Sequence, residues 1–119
     1  MFDAPNCAMK NVPNAEQAEL FDKFIKKWQA KLNLNDWRIE RYNKTVRDAM
    51  ACITFDDDAR LATYQLGSFG EEEITASSLE STALHEALHV FLHDLRKFSD
   101  DEGVEHQVIN VLEKLLLEI

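Results

Sequence analysis

The chain has 119 residues, 45% hydrophobic and 29% charged, proportions that fit one soluble globular domain with a single core. Its formal net charge of −9 argues against a nucleic-acid-binding surface, since no basic run exceeds Lys26-Lys27. The opening "MFDAPNCAMKNVPNA" lacks the basic start and apolar stretch of a secretory signal. No apolar run approaches the roughly 18–20 residues that span a bilayer, so a cytoplasmic location without a membrane partner is expected. Cys7 and Cys52 are far apart and read as free thiols, without the paired spacing of a thiolate metal site.

Residues 1–13 carry both prolines and no periodicity, and read as a loose lead-in to one domain over 14–119. "NAEQ" offers an Asn cap with Gln three positions later, a capping box. Ala18, Phe21, Phe24, Ile25, Trp28 and Leu32 then recur at helical spacing to about residue 33. "LNLNDW" ends that helix and "WRIERYNK" begins a strand. In "MACITF" the side chains of Ala51, Ile53 and Phe55 share one face, and after a turn at "DDDA" the segment "RLATYQLG" completes a hairpin. The three aspartates lack the alternating ligands and glycine of a calcium loop, and read as a solvated turn. Ser77 with Glu80 forms a second capping box, predicting a helix from there to about Lys97. "SDDEG" separates it from a last helix that begins near Glu102. Helix, three strands, helix, helix gives an α+β domain with a small, mostly antiparallel sheet.

The second of these helices, the one after the sheet, carries the chemistry. "LHEALHVFLH" contains His85, Glu86 and His89 as H-E-x-x-H. Residues four apart on a helix stand one above the other, about 6 Å apart, so both imidazoles can reach one ion. Glu86 lies roughly 100° round the helix from His85, placed to accept a proton from an activated water rather than to bind the ion. Leu84, Leu88, Phe91, Leu92 and Leu95 form the core face, with the two histidines on its flank. The plain alternative is a pair of core histidines bonded to ordinary acceptors. His93 continues the step of four, but eight residues separate it from His85, about 12 Å of helix, against Zn–N bonds of about 2 Å. It is expected at the surface or behind the site.

A third donor must come from elsewhere. Val104, Val108, Val111, Leu112, Leu115, Leu116 and Ile119 define an apolar arc on the last helix, and Glu105 falls inside it. A carboxylate aimed at a core needs a metal or a cationic partner such as Arg96. His106 points with Asn110, Glu113 and Leu117 to the opposite side in this phasing, and Glu102 lies at the border. Glu105 is therefore the expected ligand, with Glu102 and then His106 as alternatives.

"STALHEALHVFL" followed by "VEHQVINVLEKLL" resembles the zincin metallopeptidases, in particular the compact gluzincin-like group and similar small proteins of phages and prophages. The resemblance implies a zincin-like fold and one zinc per chain on His85, His89 and Glu105, with Glu86 as general base. It implies a peptide or protein substrate, drawn out along a sheet edge, for which "RLATYQLG" is the expected strand. The metzincin pattern does not fit, because Leu92 and Leu95 stand where its glycine and third histidine belong. For the oxyanion-stabilising group of the larger enzymes, only Tyr64 or His106 offer themselves. The expected function is a zinc-dependent metallopeptidase; the alternative is a zinc-binding interaction module with little turnover.

Overall fold

The computed structural model describes residues 11–93 and 102–117, with side chains from Glu105 onward in the second stretch. Six elements follow in order: α1 (Ala15–Lys31), β1 (Arg38–Arg41), β2 (Ala51–Asp56), β3 (Leu61–Leu66), α2 (Ala76–His93) and α3 (Glu102–Leu117). The expected continuation of α2 to Lys97, the break at "SDDEG", Arg96 and Cys7 lie outside the described residues. No helix among those described is long and apolar enough to cross a membrane.

The first helix starts and stops for local reasons. Gln17 N–H donates to Asn14 Oδ1 and Asn14 N–H to Gln17 Oε1, both at 2.9 Å, closing the capping box. At the other end Asn33 turns left-handed at φ 58, a conformation asparagine tolerates. There Leu34 N–H reaches Gln29 O at 2.9 Å and Asn33 N–H reaches Ala30 O at 3.2 Å, so the last carbonyls are satisfied.

The sheet departs from expectation. β2 and β3 form the predicted antiparallel hairpin, with Ala51 opposite Leu66 and Asp56 opposite Leu61. β1 then pairs with β3 in parallel, from Arg38 opposite Leu61 to Arg41 opposite Tyr64, so the order is β1-β3-β2 and the sheet is mixed rather than mostly antiparallel. β3 is the central strand because its alternation is the cleanest: Ala62, Tyr64 and Leu66 are buried, while every second residue is half-buried. The path from β1 to the opposite edge crosses over Gly67. A Cβ there would sit 2.0 Å from Ala49 O, so only glycine lets the backbones pass.

The second helix begins two residues before its expected start. Ser78 N–H donates to Thr75 Oγ1 at 3.0 Å and Thr75 N–H to Ser78 Oγ at 2.8 Å, so Thr75 rather than Ser77 is the cap. Glu80, freed from that role, accepts from Trp28 Nε1 at 3.0 Å and pairs with Lys27, tying α2 to α1. Ala18, Phe21 and Ile25 of α1 meet Tyr64, Leu66 and Leu79 in one buried cluster. Trp28, Leu84, Leu88 and Ile109 form a second, which carries α3.

The phasing of α3 is the largest correction. Ile109 is wholly buried, with Leu112 and Leu116 against the same cluster. Val108, Val111 and Leu115, which the hydrophobic arc placed at the core, are 40%, 57% and 55% exposed. An apolar arc predicts facing only when the neighbouring surface is apolar too. Here α3 packs half on leucines and half on the polar flank of α2, and turns its own polar residues toward that flank.

Candidate metal centre

That rotation sets the geometry of the site. On α2, His85 and His89 lie with ring centroids 5.0 Å apart. His106, expected to point away, stands 4.9 Å from the His89 ring and 5.6 Å from the His85 ring. One ring nitrogen from each of the three lies within 4.8 Å of the other two. Tetrahedral zinc with bonds of about 2.0–2.1 Å needs nitrogens about 3.4 Å apart, so the rings have only a short way to close. Three imidazoles and no thiolate suit zinc. Cys52 lines the same cleft but does not join the group; burial pushes its thiol pKa up and keeps it a poor ligand.

Glu105, expected as the third ligand, stands behind the histidines. Its Oε1 lies 2.8 Å from His89 Nδ1 and it is not among the three gathered donors. Glu113, one helical face along, lies 3.5 Å from His85 Nδ1 at ion-pair range and accepts from Ser81 Oγ at 2.8 Å. Each helical imidazole thus has one nitrogen beside a carboxylate of α3. A neutral ring donating from Nδ1 keeps the lone pair of its other nitrogen for an ion, and the carboxylate fixes tautomer and orientation. The side chain of Glu102 lies outside the described residues.

The electrostatics differ at each position. The Glu113 carboxylate raises the His85 pKa, against burial, with help from Glu86. Burial lowers that of His89, more than Glu105 restores. For Glu113 burial pulls upward, but the His85 and Ser81 bonds outweigh it and the pKa falls. Glu86 is 5% exposed, and no hydrogen bond reaches its carboxylate from the described residues. Burial pushes its pKa up to about 7, against the pull of His85.

His85, Glu86, His89, Glu105 and His106 line a cleft of about 550 Å³, walled by β2 from Ala51 to Phe55 and by α2 and α3. Among the described strands β2, not the expected β3, is therefore the sheet edge beside the histidine helix, since β3 is paired on both sides. Tyr64 is absent from the cleft: it is 2% exposed and donates to Asp22, which also accepts from Arg41 Nε at 3.0 Å. His93 is half-buried at the far end of the cleft and is not among the three gathered donors. It stacks on Phe55 with centroids 3.8 Å apart, and its Nε2 lies 2.7 Å from Asp57 Oδ1.

Sequence reasoning ranked His106 behind Glu105 and Glu102 as a ligand, and missed the role of Glu113. A signal was present: Ser81, His85 and His89 form a polar stripe on one helix, and His106, Asn110 and Glu113 form one on the other. Two such stripes complement each other across a helix pair. Comparisons with protein families, with curated proteins and with solved structures gave no match to this chain.

Proposed function

We propose that this chain is a zinc-dependent hydrolase of the zincin kind, acting on peptide bonds, with His85, His89 and His106 as ligands. The observation that carries the reading is Glu86. A nearly buried carboxyl without a hydrogen-bond partner among the described residues costs stability, and such a group persists where its chemistry is needed. With a pKa of about 7 it takes up and returns a proton near neutrality, as a general base and then acid must. A bound divalent cation would supply Lewis acidity and make water a nucleophile at neutral pH.

The remaining residues position. Glu105 holds His89 and Glu113 holds His85, which replaces the expected Glu105 ligand by a supporting role. Among the described strands β2 offers an extended peptide an unpaired edge alongside the histidines, so a substrate backbone joins the sheet there. The exclusion of Tyr64 favours a second reading. No tyrosine, lysine or arginine among the described residues lines the cleft to meet a developing oxyanion, and a zinc-bearing recognition module with little turnover fits that lack.

Glu86→Gln separates the two. On the peptidase reading, the zinc-loaded wild type cleaves an unstructured protein such as casein, and the variant keeps its zinc but loses the activity. Cleavage that survives the substitution, or a wild type that binds zinc and peptide without cleaving, removes the peptidase reading.

A further inference from the structure

We propose that the cleft selects basic peptides, extended segments with lysine or arginine on both sides of the residue held at the three histidines. The inference deepens the hydrolase reading and rests on it for where the reacting bond lies.

Two cavities meet at the site. The cleft of about 550 Å³ runs past Phe55 to Asp57, and a second of about 300 Å³ runs past Met50 to Glu72, Ser81 and Glu113. They share Ala51, His85 and Glu86, so together they form one groove along the whole of β2. Met50 to Asp57 is eight residues, about 25 Å of extended chain, which is room for about seven residues of a peptide.

The charge along that groove is one-sided. Asp57 stands at one end, Glu72 and Glu113 at the other, and Glu86 and Glu105 between them. No lysine or arginine among the described residues lines either part. Lys27 and Lys31 border a separate cavity with Trp28 and Leu116. Asp57, Glu72, Glu86 and Glu113, four carboxylates against one divalent ion, leave the described lining of the groove negative even when loaded.

Acidic side chains alone are common on a chain of this charge. Glu86 is the independent observation. It is 5% exposed, no hydrogen bond from the described residues reaches it, and it lines both cavities at their junction. A carboxylate left unpaired at the middle of a groove is completed by positive charge arriving in that groove. Asp57 is itself well exposed at the mouth, where it meets a ligand first.

The test uses the zinc-loaded wild-type protein, which keeps Glu86, and three labelled seven-residue peptides whose central amide is replaced by an uncleavable ketomethylene. They differ only in carrying lysine, alanine or glutamate on both flanks. Fluorescence anisotropy at low salt should give the lysine peptide about tenfold tighter binding than the alanine one, as two ordinary surface ion pairs provide. The glutamate peptide should bind weakest, and the differences should collapse in roughly 0.5 M salt. Glu72→Gln should cut the lysine advantage to about threefold, since it removes one pair of the two. Equal affinity for the three peptides, or a preference that Glu72→Gln leaves untouched, overturns the inference. Wild-type zinc protein that binds the lysine peptide but leaves its ordinary-amide counterpart uncleaved overturns the hydrolase reading instead. Cleavage with no charge preference overturns only the inference.

Discussion

Replacing Glu86 by glutamine should make the zinc-free protein more stable, and by an amount that depends on pH. The carboxyl is 5% exposed and titrates near 7 in the folded chain, against an ordinary value of 4.5. Its folded pKa is raised, so the group costs nothing below pH 4.5, where it is protonated in both states. The cost grows through the window between 4.5 and 7 and is complete above it. A gap of 2.5 units at about 1.4 kcal/mol each gives about 3 kcal/mol at pH 8, and about 1 kcal/mol at pH 5.5. Glutamine keeps the shape and cannot ionise, so the variant escapes that cost. Urea denaturation of chelator-treated protein, extrapolated to water at pH 5.5 and pH 8, measures both differences and stays above the pI of about 4.8. The variant should be ahead at both values and further ahead at pH 8 by about 2 kcal/mol. Added zinc should narrow the gap, because a nearby cation favours the carboxylate. A variant no more stable than wild type at pH 8, or a gap that does not change with pH, would refute the burial of an unpaired acid.

Three further outcomes follow from the packing. Ile109→Ala should cost roughly 2–5 kcal/mol and Val111→Ala under about 0.5 kcal/mol in urea denaturation, because only the first empties a core site. The reverse ranking would restore the helix facing read from the apolar arc. Thr75→Ala should lower stability by about 1 kcal/mol, while Ser77→Ala should change it little, since Thr75 holds the cap. Gly67→Ala should lower the thermal midpoint by well over 5 °C, since an added methyl meets two backbone carbonyls and a 1 kcal/mol loss alone moves it about 4–8 °C.

What the sequence made legible was local. The Asn14–Gln17 box, the hairpin and the helical histidine pair depend on residues within a few positions of one another. What it hid was relational. β3 reads as a hairpin partner, and nothing within it says that β1 returns in parallel to its other side. Glu105 lies inside an apolar arc and does turn inward, but toward His89 Nδ1 and not into the group of donors. His106 follows it by one residue, roughly 100° round the helix, and the α2–α3 packing angle decides which of the two reaches the site. That angle is set jointly by Ile109 on leucines and by Glu113 on Ser81 and His85, a compromise between two surfaces that no single helix encodes.

The three-histidine centre is tested most directly by zinc affinity across wild type, His106→Ala and Glu105→Ala, each titrated against a competing chelator after metal removal. Wild type should bind close to one zinc per chain. His106→Ala should lose it, whereas Glu105→Ala should retain it with affinity lowered about 10–100-fold, the usual effect of removing a group behind a ligand. A Glu105→Ala variant that loses zinc beside a His106→Ala variant that keeps it would contradict the account and return the site to a glutamate third ligand.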